Sequence, residues 1–283
     1  MASRPARKPL PPLPTDPQDC LKQGCERPWE VAVDPFPVAP RTWYVGNNWV
    51  GAYLLQSTEG LILIDTTMQP QVYLVFEAIR KLGFDIADLK LILVSHMHYD
   101  HLGGVRPLVE ASGAKVMMSR EDWQFLCDRP DQLLNDGYPW GPFEPDEFYS
   151  DNQPVVFGDR VIRTVLTPGH TPGTTSFFFE VEENGETLQV GMHGGIGLIT
   201  VTDEWLSEHN LPFSLQQDFH DSLVRLRAMN VDITLGSHPA QVGMMDRVDD
   251  IRDGHNPFHD PAVWPRLMDQ RIAGIRKILE KAA

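Results

Sequence analysis

Apolar and polar positions along this chain fall into short blocks whose period changes repeatedly. "WYVGNNWVGAYLLQS" (43–57) and "GLILIDT" (60–66) predict two strands turning through Thr58, Glu59 and Gly60. "QVYLVFEAIRKLGF" (71–84) then carries apolar residues at helical spacing and ends at Gly83. "LKLILVS" (89–95) is continuously apolar, as a buried strand is. A helix over 103–111 and a strand at "AKVMMS" (114–119) follow. A second group repeats the scheme. "RVIRTVLT", "TTSFFFEV" and "ETLQVGM" predict strands, 214–229 a helix, "VDITLGS" a strand and 261–283 a closing helix. Two successive α/β groups of this kind suit two sheets with helices on both outer sides.

Two stretches break the pattern. Residues 1–41 are rich in proline and lack an apolar period, so they read as an arm lying on the domain or partly disordered, with the main domain over 42–283. Residues 120 to about 155 are irregular and aromatic, with Trp123, Tyr138, Trp140, Phe143 and Phe148 among prolines.

Composition narrows the chemistry. With 283 residues the chain can bury a substantial core. A formal net charge of −15 argues against a nucleic-acid surface or a polybasic membrane contact. Cys20, Cys25 and Cys127 form no disulfide framework, and Cys-x4-Cys alone is a poor zinc signature. The N-terminal stretch lacks the apolar core of a secretory signal and no run approaches a membrane span, so the cytoplasm is the expected location.

The chemistry concentrates at the mouth of the 89–95 strand, in "HMHYDHLGG". Residues two apart in an extended segment point the same way, so His96 and His98 present their rings to one point. The chain then turns, and Asp100 and His101 project near that point with almost no loop entropy to overcome. Imidazole and carboxylate together suit zinc or a similar first-row divalent ion. His170, His193 and His238 share one design, each lying just beyond an apolar strand. His209, His220, His255 and His259 read as ordinary loop or helix-face residues.

"HMHYDHLGG" resembles the His-x-His-x-Asp-His signature of the metallo-β-lactamase superfamily, and "TPGHTPGTTSF" resembles its next metal loop. "WYVGNN", "KLGFDIADLKLIL", "GSHPAQVGMMDR" and "NPFHDP" are most similar to the third subclass of those lactamases. The resemblance implies an α/β fold, a four-layer αββα sandwich, with two zinc ions in a cleft at one edge of the sheets. It puts His96, His98 and His170 on the first ion and Asp100, His101 and His238 on the second. It also implies that Asp65 orients a ligand histidine, although alone that residue reads equally as a turn cap. Two features depart from the family pattern. Where most superfamily hydrolases carry a bridging aspartate, this chain has Met192, His193 and Gly194, and "GMHGGIG" lacks the serine usual in the third subclass. His193 reads as a supplementary ligand, a proton donor to the leaving group, or a histidine packed under the glycine loop.

The implied activity is zinc-dependent hydrolysis of an amide- or ester-type bond in a bulky, apolar small molecule, β-lactam-like or lactone-like. Two ions sharing a water would lower its pKa from near 16 toward about 7 and make hydroxide available, with Asp100 orienting it. The runner-up is a lactonase or thioesterase of the same superfamily. A non-catalytic metal-binding protein is the alternative of another class. Di-iron redox chemistry fits less well, since the oxygen-handling relatives place glutamate where this chain has His98. The expected walls of the cleft are the aromatic segment 120–155, with Trp123, Tyr138 and Trp140, and the loop 196–213, with Trp205.

Overall fold

The computed structural model describes residues 10–282 apart from 152 and 253, so the first nine residues of the expected arm lie outside the described residues. Seven strands build the first sheet: β1 (Phe36–Ala39), β2 (Thr42–Tyr44), β3 (Tyr53–Ser57), β4 (Gly60–Ile64), β5 (Leu89–Leu93), β6 (Lys115–Met118) and β7 (Glu147–Phe148). They lie side by side in chain order, antiparallel up to β4 and parallel from β4 to β7. The second sheet holds β8 (Val155–Phe157), β9 (Arg160–Leu166), β10 (Thr175–Glu183), β11 (Glu186–Met192) and β12 (Ile233–Leu235), in the order β12-β11-β10-β9-β8. Only β11 and β12 run parallel there.

Nine helices complete the described residues: α1 (Pro17–Glu26), α2 (Val72–Lys81), α3 (Tyr99–Leu102), α4 (Val105–Ser112), α5 (Arg120–Asp128), α6 (Asp203–Glu208), α7 (Ser214–Arg227), α8 (Met244–Arg247) and α9 (Val263–Ala282). Side-chain alternation stacks the layers. On β4, Ile62 and Ile64 join Phe177, Phe179 and Val190 between the sheets, while Leu61 and Leu63 meet Val75 and Ile79 of α2 and Leu108 of α4. Leu223 of α7 and Trp264 and Leu267 of α9 close the far side. The expected αββα sandwich is the observed one. No helix among the described residues is long and apolar enough to cross a membrane.

Three local expectations change. The stretch 43–57 is not one strand, because Asn47 folds it: its Oδ1 accepts from the Trp49 and Val50 amides at 2.8 and 2.9 Å, separating β2 from β3. Residues 120–128 form a helix rather than irregular chain. The Ser119 hydroxyl caps it by accepting from the Asp122 amide, and Leu126 lies in the core. The proline-rich arm is ordered from α1 onward. Asp16 caps α1, Cys25 and Leu21 pack into the helix layer, and β1 forms the sheet edge.

Gly83 (φ +86°) ends the 71–84 helix where the sequence places it. Beyond it, the carboxyl ends of β4, β5, β9, β11 and β12 deliver Asp65, the 96–101 segment, His170, His193 and His238 respectively.

Candidate metal centre

Five of the sequence-predicted ligands meet at short range. The ligand atoms of His96, His98 and His170 lie within 4.8 Å of one another, and so do those of His96, Asp100 and His101. Nδ1 of His98 is 3.1 Å from Nε2 of His170. Asp100 Oδ2 lies 3.3 Å from His101 Nε2 and 3.5 Å from Nε2 of His238, which brings in the sixth residue. The turn of α3 does this. His98 is the extended residue before it, so Asp100 and His101 swing back toward the rings of His96 and His98.

Four of the histidines are held by the ring nitrogen that faces away from the cluster. His101 Nδ1 donates to Asp65 Oδ2 at 2.8 Å, and His238 Nδ1 donates to the Trp49 carbonyl at 2.8 Å. Thr200 gives its hydroxyl proton to the His170 carbonyl, so its oxygen and the Gly197 carbonyl accept from His170 Nδ1 at 3.0 and 3.2 Å. Ser95 likewise gives its hydroxyl proton to Asp65 at 2.7 Å, leaving its oxygen to accept from His96 Nδ1 at 3.0 Å. Each bond fixes the tautomer that leaves a lone pair on Nε2, toward the cluster. The Nε2 atoms of His96 and His101 are buried and have no hydrogen-bond partner. Buried imidazole nitrogens aimed at a common point without partners are what a divalent cation satisfies.

Electrostatics agrees with that fit. Burial, then the neighbouring rings, pushes His96 and His98 well below the ordinary histidine value, and burial brings His170 down to about 4. Burial also opposes charge on His101, but Asp100 and Asp65 outweigh it and raise that ring to about 10. Burial opposes ionisation of Asp100, yet the surrounding rings of His101, His238 and His98 hold its carboxyl below the usual range. His96, His98 and His170 thus face the common point as neutral imidazoles, while His101 holds a proton beside the ionised carboxylate of Asp100. A cation joining the second group has to displace the proton on His101.

Asp65 sits at the end of β4 with φ +58°, a left-handed conformation that non-glycine side chains adopt at a strain of order 1–3 kcal/mol. Its carboxylate accepts from the Ser95 amide and hydroxyl as well as from His101, and these three bonds hold it there. Gly195 lies against the ring of His170, where a Cβ would stand 2.4 Å from Cδ2. The "GMHGGIG" segment therefore needs glycine at that point.

His193 lies elsewhere. It is fully buried, its Nε2 has no partner, and Nδ1 is 3.5 Å from the Ser237 hydroxyl. Burial, then Arg271 and His238, keeps it neutral. Like His101 it does not line the cavity above the cluster, and it belongs to neither group of convergent ligand atoms.

That cavity has a volume of about 990 Å³. Trp205 lines it, as the sequence predicts, together with Ile196 and Ile199 of the expected loop. Trp123, Tyr138 and Trp140 do not. They pack against the hydrophobic cluster around α4 and α5, with Trp123 on Phe143 at 6.0 Å and the Tyr138 hydroxyl bonded to Glu26. The residues between these anchors, Asp131 and Leu134 to Gly137, face the cavity instead. Two other walls were missed. Asp16 and Leu21 bring α1 to the mouth, and His209 stacks on Trp205 with ring centroids 3.9 Å apart. Cys20 and Cys25 take no part, since burial raises their thiols to about 11 and about 12.

Asp122 is the other residue the sequence reading passed over. Its Oδ2 accepts from the Met97 amide at 2.8 Å and the Thr171 hydroxyl at 2.7 Å, and its Oδ1 from the Gly173 amide at 2.5 Å. One buried carboxylate thereby fastens the loop of His96 and His98 to the loop of His170. Burial raises it to about 6 despite those three donors.

Comparisons with known proteins agree with this geometry. A model of the family described as "Metallo-beta-lactamase superfamily" matches residues 50–238. The N-acyl homoserine lactonase AttM of Agrobacterium fabrum is 31% identical over 124 residues, which are 40% of this chain and 44% of that protein. The N-acyl homoserine lactonase AiiA of Bacillus thuringiensis subsp. kurstaki is 28% identical over 171 residues, 50% of this chain and 62% of that one. The chain thus spans less than two thirds of the length of these curated relatives. The crystal structure of BJP-1, a subclass B3 metallo-beta-lactamase of Bradyrhizobium japonicum, superposes with a TM-score of 0.81 at 27% identity, over 90% of this chain and 97% of that one. With the family model covering well over half of its length, and with the sandwich matching that enzyme's over 90% of the chain, the chain belongs to the metallo-beta-lactamase superfamily.

Proposed function

We propose that this protein is a hydrolase that works with two zinc ions and cleaves an ester- or amide-type bond, lactone-like or β-lactam-like, in a small molecule with a bulky apolar part. The observation that carries the reading is the convergence of six side chains, five of them on the cavity floor and His101 directly behind Asp100, with the buried Nε2 atoms of His96 and His101 left without hydrogen-bond partners. His96 Nε2, His98 Nδ1 and His170 Nε2 would hold one ion, and Asp100, His101 and His238 the other. Five imidazoles and one carboxylate are a donor set that suits zinc. When bound, the ions supply Lewis acidity and lower the pKa of water to near neutrality.

The chain's own residues do the rest. Asp65 fixes the plane and tautomer of His101, and the Trp49 carbonyl does so for His238. Asp100 stays ionised, so it can accept a hydrogen bond from the attacking water and set its direction. Trp49, Ile196 and Trp205 cover the floor with apolar surface, which keeps bulk water from the reacting carbonyl and leaves room for an apolar group. The names of the relatives support acyl chemistry on ring-shaped substrates: two are lactonases and the structural neighbour is a β-lactamase.

Elemental analysis of protein purified without added metal tests the reading, run on wild type and His238→Ala together and followed by a panel of lactones, β-lactams and thioesters. About two zinc ions per chain, falling to about one in the variant, is the expected result. One ion in both removes His238 from the site. Iron revives oxygen chemistry, and no bound metal overturns the proposal.

A further inference from the structure

The cavity changes character from floor to mouth. Its wall is largely apolar, with Trp49, Ile196 and Trp205, joined at the mouth by Leu21. Its rim carries four exposed carboxylates from three separate parts of the chain: Asp16 before α1, Asp131 and Asp136 after α5, and Glu208 at the end of α6. Among the described residues that line it there is no lysine or arginine. Beside the rim Arg129 is engaged. Its Nη2 lies 2.8 Å from Asp131 Oδ2 and donates to the His209 carbonyl at 2.8 Å, so it neutralises one carboxylate while tying two walls together. Asp16 spends part of its charge on the α1 N-terminus, accepting from the Gln18 amide. Asp136 and Glu208 have no ion-pair partner among the described residues. What makes these carboxylates the rim of a site is the floor beneath them, where His96 aims a buried, unpartnered nitrogen into the same space.

We propose that this mouth selects an uncharged or cationic acyl compound with a hydrophobic portion, and discriminates against compounds whose substituents bear a carboxylate. The proposal rests on the hydrolase reading for the bond that is broken and adds the charge class of what is admitted. Ions held in the floor draw any electron-rich carbonyl, whatever the substituents. Selection therefore acts on the part of the substrate left outside the six ligand side chains, which the rim surrounds. A cleft with low-dielectric walls focuses the field of charges at its edge. The rim lies within one Debye length, about 8 Å at physiological ionic strength, of any group passing through it. A carboxylate placed there meets repulsion with no lysine or arginine on the wall to receive it, while its desolvation goes uncompensated. An amine or a neutral chain meets no such penalty, and the indole of Trp205 and the side chains of Leu21 and Ile196 offer it apolar contact.

The test uses three thiols that differ only in charge: benzyl mercaptan, its 4-carboxylate and its 4-aminomethyl analogue. Dissociation constants are measured by calorimetry on the zinc-loaded full chain at low and high salt, alongside turnover of a neutral lactone and a carboxylate-bearing counterpart. The carboxylate thiol is expected to bind at least about tenfold more weakly than the neutral one, with the amine as tight as the neutral thiol or tighter. At about 0.5 M salt the gap should shrink to about twofold. The Asp136→Asn/Glu208→Gln variant should shrink it at low salt too. Three results overturn the proposal: a carboxylate thiol binding as tightly as the neutral one, a gap indifferent to both salt and the variant, or no thiol binding at all. The two readings fail separately. If no ester is cleaved but the order of the thiols holds, the hydrolase reading falls alone. If esters are cleaved but the thiols bind alike, the charge selection falls alone.

Discussion

His101, behind the cavity floor, and Glu208, at the cavity mouth, are held by different means. His101 is fully buried, its Nδ1 gripped by Asp65, which is itself pinned by the amide and hydroxyl of Ser95. Glu208 stands in solvent at the end of a six-residue helix. The same contrast runs through all the residues of floor and mouth. The floor is built from strand ends whose backbone is already fixed by the sheets. The mouth is built from α1, the turn after α5 and the segment after β11, laid over the scaffold. Reacting groups tolerate little misplacement, which calls for support behind each ligand. Sorting substrates by charge and volume needs only a field and a shape, which exposed loops provide. Substitutions in the floor should therefore lower metal content and rate together, and those at the mouth should move KM alone.

The largest effect is expected at Asp100. Asp100→Asn should lower kcat/KM by about a thousandfold, since one change removes both a ligand and the group that directs water. Metal content and steady-state rates measured on the same preparation check it. Asp136→Asn, in the mouth, should leave metal content as in wild type, and a comparable loss there would break the contrast between floor and mouth.

Asp122 comes next, because it joins the two ligand loops from behind. Its carboxyl is raised from 3.8 to about 6 by burial. For an acid with a raised folded-state pKa, the stabilising contribution is full below the unfolded value and is lost as pH rises through the folded one. The shift of about two units corresponds to about 3 kcal/mol. In Asp122→Asn that pH dependence is absent. Whatever the offset between the two proteins, the variant's relative stability should therefore rise by about 2 kcal/mol from pH 4, where part of the contribution is already lost, to pH 7. Denaturant unfolding of chelator-treated protein at the two pH values reads this directly, and parallel curves would remove Asp122 as a buried ionising group.

Asp65→Asn should follow, with a loss of about 10- to 100-fold in affinity for the second ion, because an amide cannot accept from the Ser95 amide, the Ser95 hydroxyl and His101 together. The first ion, held by His96, His98 and His170, should be nearly unaffected. Chelator competition separates the two losses. Equal weakening of both ions would mean that Asp65 supports the loop as a whole rather than His101.

The same division governs how much could be read from the sequence. "HMHYDH" was legible because four donors lie within six positions of one strand end, so local geometry alone brings them together. His170 and His238 were legible as single histidines placed just after apolar strands. Asp122 was not, because in "REDW" it looks like any acid in a helix's first turn, while its partners are Met97 and Gly173, 25 and 51 residues away. The mouth was least legible. Aromatic density at Trp123, Tyr138 and Trp140 suggested a binding wall, but large rings on a long loop first find the core. What faces the cavity is the small and acidic chain between them, where Leu134 and Asp136 take positive φ. The proline-rich N-terminus gave no periodic signal because α1 buries only part of one short face.

Two tryptophans make the finest test of floor against mouth. Trp205 is half-buried at the cavity wall and stacks on His209, whereas Trp123 packs on Phe143 and the helix layer. Trp205→Ala should raise KM for an apolar substrate by about tenfold, in the lower part of the 1–3 kcal/mol that a modest change in a hydrophobic pocket carries, and leave kcat and zinc content near wild type. Trp123→Ala should do the reverse. Truncating a partly buried indole in a packed layer lowers stability by about 3 kcal/mol, with KM unchanged where the protein remains folded. Thermal unfolding and steady-state kinetics on both variants set the two against each other. If Trp123→Ala raised KM as much as Trp205→Ala, the 131–137 turn would transmit core packing to the mouth, and the mouth would be as tightly supported as the floor.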